Sequence, residues 1–68
     1  MTAEEIKMTA WEMDATASAL EANVHRLSNG GQTLEEWTEI MGKAEDEIGS
    51  LQAYAHALQA EAAKEGAR

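Results

Sequence analysis

The stretch LEANVHRLSNGGQTLEEWTEI, residues 20–40, decides the fold of this chain. At its centre lies Ser28-Asn29-Gly30-Gly31-Gln32, whose paired glycines can take the left-handed conformation that ends a helix. Directly after it, Thr33 and Glu36 have the spacing of a capping box, in which each side chain satisfies the other's free backbone N–H at a helix start. A stop followed at once by a start is a chain reversal. Apolar residues flank it on both sides in steps of four and three: Leu20, Val24 and Leu27 before, Leu34, Trp37 and Met41 after.

Working outward, Thr2 with Glu5 repeats the capping-box signal near the N-terminal end. The spacing predicts a first helix over about 3–28, a turn over 29–33 and a second helix over about 34–65, within a single hairpin spanning 1–68. Glu4, Glu5, Glu35 and Glu36 fall in first turns, whereas His25, Arg26 and Lys64 fall near helix ends, as the helix dipole favours. A connection this short makes the helices antiparallel neighbours. The fold class is all-α, an antiparallel two-helix hairpin with a coiled-coil-like seam.

The expected seam follows the apolar ladder. It runs through Ile6, Ala10, Met13, Ala17, Leu20, Val24 and Leu27 in the first helix. In the second it runs through Leu34, Trp37, Met41, Ala44, Ile48, Leu51, Ala55, Leu58 and Ala62, which would make Trp37 core. At 1.5 Å per residue the helices are roughly 40 and 48 Å long. A second row, Met8, Trp11, Ala15, Ser18, Ala22 and His25, lies almost opposite the first, and Ile40 and Tyr54 widen the apolar face of the second helix. Apolar rows on two sides imply neighbours on two sides, so the hairpin is completed by oligomerisation, minimally a homodimeric four-helix bundle, or by a partner's helices. Met8, Trp11, Ile40 and Tyr54 are the interface candidates. Gly42 and Gly49, one heptad apart on the polar side, each cost about 1 kcal/mol of helix stability against alanine. They mark either a close helix approach or a tolerated imperfection.

Size and composition agree. A domain of 68 residues buries too little surface to be robust alone, and without cysteine neither disulfides nor thiolate metal sites can reinforce it. Thirteen acids against five bases give a net charge of −8, which repels phosphate and argues against direct nucleic-acid binding. The acids Glu35, Glu36, Glu39, Glu45, Asp46 and Glu47 serve as a solvated face, a contact for a basic partner or a mimic of DNA. No secretory leader pattern and no apolar run of membrane-spanning length is present, so the expectation is a cytoplasmic protein without membrane contact.

Chemistry is not evident. A bundle di-iron site requires Glu-x-x-His, but His25 follows Glu21 by four residues and His56 has no acid three or four before it. Ser18, Ser28 and Ser50 have no nucleophile-elbow context. The acids fall mostly on exposed positions, where their pKa values have no reason to move. The expectation is no catalytic residue in this chain, no metal and no cofactor.

One run is more specific than heptads. Leu20-Glu21, Val24, Arg26-Leu27, Gly30 and Leu34-Glu35-Glu36 read L-E-x-x-V-x-R-L-x-x-G-x-x-x-L-E-E, which resembles the exonuclease VII small subunit family. Met13-Asp14 occupies the place of that family's Phe-Glu, and Met41, Ala44, Ile48, Leu51, Ala55 and Leu58 its later apolar columns. Asn23, Gln32, Ala44 and Glu47 depart from its pattern, and Trp11 and Trp37 have no counterpart in it. The resemblance implies a non-catalytic hairpin present in several copies on the helical region of a large nuclease subunit, in a complex that hydrolyses single-stranded DNA in the cytoplasm. The alternatives are a self-associating helical-bundle regulator or adaptor, and an acidic DNA-mimic inhibitor.

Overall fold

A computed structural model describes residues 1–66 as two helices, α1 over Ala3–Asn29 and α2 over Leu34–Gly66. Residues 67 and 68 of the expected hairpin lie outside the described residues. Each helix extends one residue beyond the expected end.

Both starts are built by the capping boxes. The Glu5 N–H donates to Thr2 Oγ1 at 3.2 Å and the Thr2 N–H donates to Glu5 Oε1 at 3.0 Å. At the second start the Glu36 N–H donates to Thr33 Oγ1, and the Thr33 N–H to Glu36 Oε1, each at 3.1 Å. Gly30, at φ 74° and ψ −166°, stops α1, and its N–H donates to the Leu27 carbonyl at 3.3 Å. Gly31 follows at φ 84°. The Gln32 side-chain amide donates to the Arg26 carbonyl, satisfying a second acceptor left open by the end of the helix.

The helices run back along each other. Partway along, Asn23 Nδ2 donates to Glu47 Oε1 at 2.7 Å, and at the open end the Met1 amino group meets Glu61 Oε1 at 2.8 Å. The result is a rod of 53 × 16 × 14 Å. Ile40, 4% exposed, and Ala44, 5% exposed, are its buried hydrophobic residues. α1 contains no buried residue. A rod two helices thick has little interior, so side chains along the contact such as Met13, Leu20 and Leu51 are only partly buried.

Candidate interaction surface

The helices do not meet along the ladder that the apolar spacing marks. In α1 the sheltered residues are Thr9, Met13, Thr16, Leu20, Asn23 and Leu27. In α2 they are centred on Ile40, Ala44, Glu47, Leu51, Tyr54, Leu58 and Glu61, with Met41, Ala55 and Ala57 partly sheltered beside them. Both rows keep the four–three rhythm, but half of each is displaced by one position from the expected seam. Ala10, Ala17 and Val24 give way to Thr9, Thr16 and Asn23, while Ile48 and Ala62 give way to Glu47 and Glu61. Trp37, expected in the core, is 45% exposed, and Leu34 is 81% exposed.

The displacement has a physical basis. With Met13 and Leu20 at heptad position a, Thr9, Thr16 and Asn23 are d and Ala10, Ala17 and Val24 are e. Both a/d and a/e rows repeat in steps of four and three, so either satisfies a shallow crossing. Two residues of the polar d row have hydrogen-bond partners: Thr9 Oγ1 donates back to the Glu5 carbonyl at 2.8 Å, and Asn23 donates across the hairpin to Glu47. The pairing therefore leaves the better apolar row uncovered.

That row forms a surface of its own. In α2 the e positions are Leu34, Met41, Ile48, Ala55 and Ala62, all apolar. In an antiparallel pair, a one-residue advance from the seam turns both helices toward the same side, so the e rows of α1 and α2 line one broad face. Val24 is 49% and Ile48 45% exposed there. At its open end Ile6, Leu58 and Ala62 border a shallow concavity between the helices, with Glu61 and Glu65. The opposite flank, at the g positions, carries Glu12, Arg26, Glu36, Lys43 and Lys64. The hairpin as a whole is amphipathic.

The four interface candidates separate. Trp11, 65% exposed, and Met8, 54% exposed, lie on the back of α1 and border a shallow groove with Glu4 and Lys7. Ile40 instead lies inside the hairpin, because position d of α2 points at α1, and Tyr54 is half-buried in the same row. The e face was hidden from sequence reading because its residues were assigned to the seam. The signal that marks it is in α2, where Ile40 and Tyr54 at d add to the apolar a and e rows and make a face broader than one neighbouring helix covers.

Three carboxyls have lowered pKa values although acids on exposed positions were expected to be unmoved. Glu5 and Glu36 are lowered chiefly by the backbone N–H of Thr2 and Thr33, which favours the charged form, with the threonine hydroxyls adding to it. Glu61 is lowered first by its hydrogen bond from the Met1 amino group and further by Lys64 at 3.3 Å. These are structural contacts rather than reactive groups. Ser18, Glu21, Ala22 and His25 share a shallow depression on α1. Among the described residues no three His, Asp or Glu side chains are grouped to hold a metal ion, and no helix is long and apolar enough to cross a membrane.

A Cβ built on Gly42 or Gly49 meets nothing within 4 Å, so no close approach within the hairpin explains either glycine. No family model, curated protein or solved structure matches the chain.

Proposed function

We propose that this chain is a non-catalytic assembly subunit that docks on the helices of a larger protein. The observation that carries this reading is the exposure of Met8 and Trp11 in a groove on the back of α1, away from the e face. A tryptophan beside an unbranched methionine is the kind of anchor that dominates helical interfaces. Ile40 already serves the hairpin, so Met8 and Trp11 are the partner-facing residues and Tyr54 contributes from the seam.

The L-E-x-x-V-x-R-L-x-x-G-x-x-x-L-E-E run supports identifying the partner as the large subunit of a single-strand DNA exonuclease of the exonuclease VII type. The net charge of −8 supports contact with protein rather than with DNA. It gives less support to DNA mimicry: Glu45, Asp46 and Glu47 are consecutive and point to different sides of α2, and Glu36 and Glu47 are engaged in a cap and in the Asn23 contact.

The test is affinity capture of the tagged chain from its native host, followed by nuclease assay of the complex. The expected result is a much larger chain with a long helical region, whose hydrolysis of single-stranded DNA requires the hairpin. Trp11→Ala is expected to weaken capture while leaving helicity unchanged. Full retention of the partner by that variant, or the absence of any larger chain, overturns the reading.

A further inference from the structure

We infer that the e face is covered by a second copy of this chain, turned end for end, in an all-antiparallel four-helix bundle. Side-chain size is distributed unevenly along the face. Along the two e rows the turn half carries Leu34, Met41 and Val24 and the open half Ala55, Ala62 and Ala10, while Ile6 and Leu58 of the neighbouring a rows border the open end. Leu34 and Ala62 are equally distant from Ile48, as are Met41 and Ala55, and Val24 and Ala10 are equally distant from Ala17. At 1.5 Å per residue Ile48 and Ala17 both lie about 22–25 Å from the centre of the turn, so the two rows share one midpoint. A two-fold axis through that level lays Leu34, Met41 and Val24 on small side chains of the other copy. Leu34 meets Ala62, Met41 meets Ala55, Val24 meets Ala10, and Ile48 meets its own counterpart. Alternation of large and small across facing positions is what lets layers interdigitate, and a two-fold contact requires this self-complementarity.

The area is sufficient. A face 53 Å long and 16 Å wide presents about 800 Å², the share each partner contributes to a stable interface of standard size. Stacking the copies end for end also makes every neighbouring helix antiparallel, which opposes their dipoles favourably. The Met8–Trp11 groove stays outside, once on each copy. At the rim Asp14 of each chain comes near Glu21 of the other, so association tightens as salt screens those acids, the reverse of a contact with a basic partner.

Sedimentation of the isolated chain tests the inference, with the dimer expected at twice the 7.4 kDa chain mass. Ile48 is 45% exposed in the hairpin, so Ile48→Glu is expected to give monomers with undiminished helicity by circular dichroism. Ile48→Cys in this cysteine-free chain is expected to oxidise to a covalent dimer. Ala55→Met is expected to weaken the dimer at least tenfold, and the exchange Met41→Ala with Ala55→Met to restore it. A chain monomeric at high concentration, a dimer unaffected by Ile48→Glu, or one that Ile48→Cys fails to link overturns the inference. If the monomer still captures the nuclease chain, the docking proposal stands alone; if the linked dimer captures nothing, only the dimer stands.

Discussion

Glycines at two kinds of position show how backbone conformation, rather than contact, sets the stability of this chain. Gly30, at φ 74° and ψ −166°, occupies a region that only glycine enters without strain. Gly30→Ala therefore destabilises the protein by about 1–3 kcal/mol, although a Cβ there meets nothing within 4 Å. Gly49 is the opposite case. It lies inside α2 without an unusual backbone angle, and the space beside it is open. Gly49→Ala stabilises by up to about 1 kcal/mol, because alanine loses less backbone freedom in a helix. Urea unfolding of the two variants beside the parent chain checks both signs. A Gly49→Ala variant that unfolds more easily would mean that the open space is occupied by another helix in solution.

At the scale of the element, the helix ends are set by reciprocal caps whose strength depends on charge. Glu36 accepts from the Thr33 N–H, and that bond holds its carboxyl below the usual carboxylate pKa. A lowered folded-state pKa contributes stability that is present above the unfolded value and is lost as pH falls through the folded one. The stability gap between the parent and Glu36→Ala is therefore expected to be full at neutral pH and to close on acidification below the ordinary value of 4.5. Thr33→Ala is expected to cost about 1 kcal/mol by removing the other half of the box. Thermal melts across acidic pH check both, and a gap that widens on acidification would contradict the cap. These ends were legible in the sequence because Thr2, Glu5, Gly30, Thr33 and Glu36 act on groups within a few residues. The rotation of the helices was not. The a/d and a/e rows share Met13, Leu20 and Leu27, and they differ in contacts between the helices, such as Asn23 to Glu47, that no local pattern announces. The same limit explains the site residues: Met8 and Trp11 were readable as a row opposite the seam, whereas Ile40 changes role once the seam turns by one position.

At the scale of the whole molecule, Ile40 at 4% exposure and Ala44 at 5% are the buried hydrophobic residues of the described chain. Burying an isoleucine contributes about 1.5–3 kcal/mol, which is small beside the freedom lost in ordering two long helices. Ile6, Trp11, Val24, Leu34, Trp37 and Ile48 remain open to water in the hairpin, and under the proposed association they are what other molecules would cover. Unfolding coupled to dissociation depends on concentration, because mass action favours the associated state. A tenfold rise in protein corresponds to about 1.4 kcal/mol, which for a unit of two such chains raises Tm by on the order of 5 °C. Melts of the isolated chain over a hundredfold range of concentration are expected to show that rise at each decade. A Tm that is high and constant over the range would mean that the hairpin is stable as a monomer, and the exposed e face would then require no partner for folding.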